Sequence, residues 1–475
     1  GFNDFKRQPL LLTMLTNCGP VMAAGDVNGD GLDDIYAGGA QENPGKLYIQ
    51  QADGSFTESP QFRTNGNKQY TDADARFFDA DNDNDLDLYI ASGGYNDYKE
   101  RDPSLQDRLY INNGKGEFTR AEGALPAALV SKSCVAAADF DKDGDIDVFV
   151  GGRVIPGQYP VTPESFLFEN KGDGTFAAVT GAKAERLSKI GMVTDALWAD
   201  VNGDSWPDLV VIGEFMPVEV FINKNGKAFE HATASYFDKP LKGFWSRMVA
   251  YDFDNDGDLD ILAGNMGLNS QLRAGESEPI TLVYKDFDKN GSVDPIMTYY
   301  IEGKAYPFAS RDELLDQIRS MRPKYTDYAS YANAQLGDIF SKQDLKAANS
   351  LEATTLETTF LENRNGKFVA RKLPPEIQFS PVHALSLIDY NNDGNMDFIA
   401  GGNQSAIRIR MGVIDANFGQ LFQGDGKGNF SYVSQAASGL RITGDTKSLQ
   451  VITIKGDTYL LIGVNNVGIE TYKLN

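Results

Sequence analysis

Short apolar runs separated by clusters of Asp, Asn and Gly recur along most of the chain. Val135-Ala136-Ala137-Ala138 precedes one such cluster, and Ile146-Asp147-Val148-Phe149-Val150-Gly151-Gly152 follows it. Runs this short, rich in β-branched and aromatic residues and bounded by turn formers, predict buried strands rather than helices. A second pattern lies further on in each unit: Leu47-Tyr48-Ile49, Leu109-Tyr110-Ile111-Asn112, Leu167-Phe168-Glu169-Asn170, Val220-Phe221-Ile222-Asn223, Phe360-Leu361-Glu362-Asn363 and Leu421-Phe422. A Gly-rich turn and then a Phe follow, as in Asn113-Gly114-Lys115-Gly116-Glu117-Phe118, which is hairpin chemistry. One unit therefore reads as four antiparallel strands, with the polar cluster joining the first two.

The polar cluster is itself a repeat. Asp, any residue, Asp or Asn, any residue, Asp or Asn, usually Gly, two more residues and a final Asp occur seven times. The acidic and amide positions 1, 3, 5 and 9 are Asp26, Asn28, Asp30 and Asp34 in the first copy and Asp79, Asp81, Asp83 and Asp87 in the second. They are Asp139, Asp141, Asp143 and Asp147 in the third, and Asp200, Asn202, Asp204 and Asp208 in the fourth. The fifth has Asp252, Asp254, Asp256 and Asp260; the sixth has Asp286, Asp288, Asn290 and Asp294; the last has Asp389, Asn391, Asp393 and Asp397. Oxygens at alternate positions of a tight loop, with a carbonyl at position 7, suit a hard cation of calcium's size, which takes six to eight oxygen ligands. Position 6 must turn sharply and is Gly in five copies; Asn84 tolerates that conformation, and Ser205 is the least comfortable. An EF-hand is excluded, because position 12 is Ala37 or Ile90 in the first two copies and strands flank the loop. Near-identical ligand sets predict structural Ca²⁺, about one per loop and up to seven, that couples metal to stability.

The first five copies are spaced 52 to 61 residues apart. Four-stranded units at that period predict propeller blades, since each is too small for a β-sandwich of ~100 residues. The expected fold is an all-β, seven-bladed β-propeller over residues 1–475, with eight blades the alternative if Asp286 opens its own. Strands near Ser448–Lys455, Tyr459–Gly463 and Ile469–Leu474 form a last blade without an Asp loop. Residues 265–356 read as an insertion in the fifth blade, a hairpin plus helices, that breaks the β pattern. Ser310-Arg311-Asp312-Glu313 is a capping box, Ser341-Lys342-Gln343-Asp344 a second helix start, and the run Tyr325 to Tyr331 a candidate contact surface.

Composition narrows the function. Asp and Glu number 67 against 44 Lys and Arg, a formal charge of −23, which argues against nucleic-acid binding. No run has the ~18 apolar residues of a membrane span. The chain begins at Gly1 without a Met, so a processed piece of a longer protein is expected. Cys18 and Cys134 read as buried free thiols, with a disulfide between them the alternative. The only histidines, His231 and His383, read as structural, and no phosphate loop, zinc cluster or hydrolase elbow is present. Trp198 reads as core, while Trp206 and Trp245 are candidates to stack sugars. Arg153 and Arg247, near inner-strand ends, read as ordinary rim charges, with the lining of a lyase cleft the alternative.

On the Asp loops and aromatic hairpins the chain resembles the FG-GAP or VCBS repeat family, whose seven-bladed propellers include the integrin α head. The resemblance implies Ca²⁺ on the loop residues named above. Gly264 to Ser270 and Tyr306 to Glu313 look like large exported Bacteroidetes repeat proteins carrying an ASPIC/UnbV-type domain. The implied location is the bacterial cell surface, outer membrane or periplasm. The expected function is a calcium-stabilised module binding a protein partner or glycan at one propeller face or at the insertion; the alternative is a calcium-dependent polysaccharide lyase.

Overall fold

The Asp loop turns the chain back on itself. Gly25 pairs with Asp34 at its two ends, and the ladder continues antiparallel through Ala23 and Tyr36. In the computed structural model, which describes residues 2–63 and 69–474, this hairpin is the first half of a four-stranded sheet made of Met22–Gly25, Asp34–Ala37, Lys46–Gln50 and Phe56–Ser59. The plan repeats with innermost strands Asp72–Phe78, Ser131–Ala138, Met192–Ala199, Met248–Tyr251 and Val382–Ile388. A last sheet, Thr446–Ile454, Asp457–Val464 and Gly468–Lys473, has three strands.

These seven sheets are blades. Their innermost strands pack in chain order, and the seventh returns to the first. Closure is polar as well as apolar: Ser448 Oγ donates to Pro20 O (2.7 Å), and Gln50 Nε2 donates to Thr453 O (3.1 Å). A separate apolar core fills each gap between blades. Leu47 of blade one meets Leu88 and Ile90 of blade two, all fully buried, and Met22 meets Ile452 and Leu461 across the closing gap. Each such side chain contributes about 1.5–3 kcal/mol. Stacking, not the single sheet, buries the apolar faces.

The eighth sheet lies outside the ring. Between Asp260–Ala263 and Thr359–Asn363, adjacent strands of blade five, the chain builds a four-stranded sheet in the order Lys304–Pro307, Asp294–Ile301, Ile280–Lys285, Asn349–Ala353. Where a hairpin plus helices was expected, the region holds a four-stranded sheet plus helices. Pairing Ile280–Lys285 with Asn349–Ala353 spans a long helical excursion, so no local period reveals it. The Asp286 loop is the turn of this sheet's central hairpin. Ser310 caps the helix Arg311–Gln317 in a full capping box, and Ser341 caps Lys342–Lys346.

Topology separates two ends. Asp loops join strands one and two and aromatic hairpins join three and four, so both lie at one end. Connections from strand two to three, and between blades, lie at the other. There the N-terminal segment, the insertion and residues 403–417 meet over an apolar core that includes Leu11, Tyr159, Phe215, Leu282, Phe308 and Ile407. Arg408 ties them together: its Nε donates to Leu11 O (2.7 Å) and its Nη1 pairs with Glu313 Oε1 (3.1 Å). That end is capped.

Candidate metal centres

The seven Asp loops share one geometry. Position 4 and position 6 both have positive φ in every copy, for example Gly29 at 74° and Gly31 at 81°, Lys142 at 60° and Gly144 at 100°. Position 6 was expected to turn this way; position 4, held by Asn, Lys or Gly, was not legible. Ser205 takes the strained conformation at 69°, which costs roughly 1–2 kcal/mol in a residue with a Cβ.

Position 1 holds the turn. Asp26 Oδ2 accepts the Gly31 N–H (2.7 Å) and its Oδ1 accepts those of Gly29 (2.8 Å) and Asp30 (3.1 Å). Position 5 caps position 7, as Asp30 Oδ1 accepts the Leu32 N–H at 2.9 Å.

Position 9 is wholly buried in all seven copies and reaches beyond its loop. Asp87 accepts the Ala80 N–H with one oxygen and the Asn112 N–H with the other, both at 2.8 Å. Asp34, Asp147, Asp208, Asp260 and Asp397 make the same two contacts in their blades, clamping the loop to the third strand. In the insertion, Gln317 Nε2 replaces the strand amide on Asp294 (2.8 Å). The sequence reading gave position 9 only a ligand's role; it is also the residue that fixes the loop to its blade.

In four copies, carboxylate oxygens of positions 1, 3 and 9 converge within 4.8 Å of one another: Asp79, Asp81 and Asp87; Asp139, Asp141 and Asp147; Asp252, Asp254 and Asp260; Asp286, Asp288 and Asp294. These are the copies with Asp at position 3. In each, the position-3 Oδ1 (of Asp81, Asp141, Asp254 and Asp288) is buried with no hydrogen-bond partner. A buried, unpaired carboxylate oxygen facing two more carboxylates is unfavourable without a cation, so the residues present fit a divalent ion. Position 5 in these copies (Asp83, Asp143, Asp256 and Asn290) stands outside the converging set.

The three Asn copies differ. Asn28, Asn202 and Asn391 each accept the N–H of position 5 through Oδ1, at 3.0, 2.8 and 3.0 Å. Asn202 and Asn391 also donate through Nδ2 to Asp204 and Asp393 (3.0 and 2.8 Å), so the loop satisfies itself.

Burial pushes the position-9 carboxyls upward: Asp34 and Asp294 to about 6, Asp87, Asp208 and Asp260 to about 7, and Asp147 to about 8. Desolvation leads in each case, and neighbouring Asp charges add to it. Blade three also carries its own cation, Lys183, whose Nζ lies 3.1 Å from Asp141 and 2.5 Å from Glu169.

Other residues singled out in the sequence fall elsewhere. His231 Nε2 meets Glu219 (2.6 Å) on blade four. Trp198 stacks on Phe140, Trp245 is buried and donates to Leu241 O (3.1 Å), and Lys142 Nζ sits 4.4 Å above the Trp206 ring. Trp245 therefore offers no open face to a sugar. Cys18 and Cys134 are free, and Cys134 is buried. Tyr325 is buried and Tyr331 packs edge-on against it at 5.3 Å, leaving Tyr328 as the exposed ring of that stretch. Arg153 and Arg247 are not rim charges; together with His383 they line a cavity on the propeller axis.

Ring closure by seven stacked sheets and Asp-rich loops on one end define a β-propeller with candidate metal loops. Three stretches, residues 26–90, 91–150 and 200–263, match the family model described as FG-GAP-like repeat. The chain is similar to cartilage acidic protein 1 of Xenopus tropicalis, 24% identical over an aligned length of 308, with 58% of this chain covered. It spans less than half of that relative, 44% of its length. Among solved structures, Saccharomyces cerevisiae Sqt1 matches at a TM-score of 0.45 and 8% identity, over 98% of this chain and 99% of that one. A lectin of Agrocybe aegerita that recognises non-reducing terminal N-acetylglucosamine matches at 0.43 and 15%, over 88% and 79%.

Proposed function

We propose that this chain is a calcium-stabilised binding module of an exported protein, without catalytic turnover of its own. One observation carries the calcium: the buried, unpartnered Oδ1 atoms of Asp81, Asp141, Asp254 and Asp288, each beside two further converging carboxylates. Oxygen-only ligands of this kind favour Ca²⁺ over softer metals. Extracellular fluid supplies Ca²⁺ at the concentrations such sites need, and similarity to cartilage acidic protein 1 supports an exported location. In a bacterial source that location is the cell surface, the outer membrane or the periplasm. Among the described residues no helix is long and apolar enough to cross a membrane.

With one end closed by the cap, the end carrying the Asp loops is the face left for a protein or glycan partner. Calcium binding there stabilises the fold and sets the charge that the face presents, because each ion removes two units of negative charge. The test is thermal unfolding of metal-stripped protein with and without added Ca²⁺. A melting temperature that rises with Ca²⁺ and not with Mg²⁺ supports the reading; identical curves overturn it.

A further inference from the structure

Five of the seven innermost strands carry one extra residue relative to their neighbours. Ala73, Ser133, Thr194, His383 and Lys447 each fall between two registered pairs. A bulge of this kind bends the strand and re-aims the side chain. All five line one cavity of about 230 Å³ on the propeller axis. In blade five Ser246 holds the matching place, its N–H on Gly264 O at 3.0 Å, and Arg247 beside it also lines the cavity. The N-terminal segment lines it from the capped end; Asp4 pins that segment by accepting the Leu15 and Thr16 N–H groups (2.5 and 3.0 Å).

The ring is lopsided. Blades two to five present Ala73, Ser133, Thr194 and Ser246, while blades six and seven present His383 and Lys447; Arg247, next to Ser246, adds a further cation. With Arg153 and Lys132 the lining holds four Lys and Arg side chains against one carboxylate, that of Glu214, in a chain whose net charge is −23. Lys132 is neutralised by Asp107 at 2.9 Å, and Arg247 faces Asp195 across 3.5 Å. Arg153 pairs with Glu214, yet its Nη1 is buried without a partner. Lys447 has no ion pair or hydrogen bond among the described residues; the nearby Asp445 carboxylate is taken by the N–H and hydroxyl of Ser405. Burial lowers the pKa of both Lys447 and His383, the direction expected where cationic groups lack a counter-charge.

The opposite wall is polar and satisfied as a donor. Ser133 Oγ donates to Val193 O (2.7 Å) and Thr194 Oγ1 to Trp245 O (2.9 Å). Each hydroxyl keeps lone pairs that accept. The unpaired Lys447 ammonium of blade seven thus faces the hydroxyl acceptors of blades three and four across a space the size of a small metabolite.

We propose that this axial cavity binds a small hydroxy-carboxylate, its carboxylate held by Lys447 and Arg247, and its hydroxyls donating to Ser133 and Thr194. An inorganic phosphate would satisfy the cations but leave the hydroxyl wall unused and bring a second charge towards Glu214. The site is independent of the Asp loops.

The test is isothermal titration of the full Ca²⁺-supplemented chain, at fixed ionic strength, with D-glucuronate, D-gluconate, L-malate, D-glucose and inorganic phosphate. At least one of the three acids binds with a dissociation constant of about 1 mM or tighter, and glucose does not. Lys447→Met and Arg247→Gln each weaken that binding roughly tenfold or more, since each removes a charged hydrogen bond. Circular dichroism and melting verify folding; Lys447→Met removes an unpaired ammonium and keeps the fold. Absence of binding by all three acids up to ~10 mM overturns the proposal. So does binding that both folded variants leave unchanged, and binding of phosphate alone overturns the carboxylate class.

Discussion

Asn112 of blade two donates through Nδ2 to the carbonyl of Val27, 2.7 Å away inside the Asp loop of blade one. The same side chain donates to Leu86 O of its own loop at 3.1 Å. Asn170, Asn223 and Asn363 repeat the reach to Ala80, Phe140 and Val201 of the preceding blades, at 2.9, 2.7 and 3.1 Å. In blade one Gln50 performs it towards Thr453 of blade seven. Because Asp87 clamps the Asn112 N–H and Asn112 clamps the neighbouring loop, the Asp loops of blades one to four are each wired to the next blade as well as to their own.

Removing such a staple leaves two buried carbonyls unpaired. Asn112→Ala and Asn170→Ala are each expected to lower stability by about 1–3 kcal/mol in urea unfolding. A change at the surface Asn113, measured in parallel, stays within about 0.5 kcal/mol. Equal effects at the two positions contradict the staple.

The position-3 carboxylates separate metal binding from folding. Asp81→Asn, an isosteric change, is expected to cost one bound Ca²⁺ and to lower the melting temperature only when Ca²⁺ is present. In chelator it leaves the melting temperature unchanged or raises it, because the apo loop then holds fewer mutually repelling charges. A loss of stability in chelator equal to that in Ca²⁺ contradicts a ligand role.

Stability of the metal-free protein carries an inverted pH signature. Burial pushes six of the seven position-9 carboxyls to about 6 to 8 in the folded chain, above the ordinary Asp value near 4, and raises Asp397 in the same direction. Between those limits the folded state binds more protons than the unfolded one, so stability falls as pH rises. In chelator, the melting temperature is expected to rise as pH is lowered from about 8 towards 5, and the gain from added Ca²⁺ to shrink over the same window. A metal-free melting temperature that falls steadily through that window contradicts the burial of these groups.

Ser205 is a removable strain. Ser205→Gly relieves a φ of 69° at an exposed turn, partly offset by the greater freedom of Gly in the unfolded chain. The net expectation is a gain of up to about 1 kcal/mol in denaturant unfolding. Asn84→Gly, where Asn already tolerates the conformation, gains less.

Much of this was legible from the residues alone, and the boundary is physical. Asp at positions 1, 3, 5 and 9 announces the loop because the spacing is local, and Ser310 and Ser341 announce their helices for the same reason. The third-strand Asn112, Asn170, Asn223 and Asn363 were visible as a recurring letter, but their partners lie one blade back, beyond any local pattern. The axial cavity was hidden more deeply. His383 and Lys447 look like ordinary strand residues, and only the register of each hairpin makes them bulges aimed inward. Arg153 and Arg247 looked like rim charges because sequence shows charge but not the cap that covers it. The insertion's full four-stranded sheet was not legible, because its edge strand returns only after the helices.

The most direct test of the calcium account is native mass spectrometry of the folded chain, purified with Ca²⁺ and then exchanged into volatile buffer, with the quadruple variant Asp81→Asn, Asp141→Asn, Asp254→Asn and Asp288→Asn alongside. The account predicts at least four bound Ca²⁺ in the parent chain, from the four converging groups, and a loss of four in the variant. A parent chain that carries no Ca²⁺ while remaining folded, or a variant that retains the full complement, would contradict it.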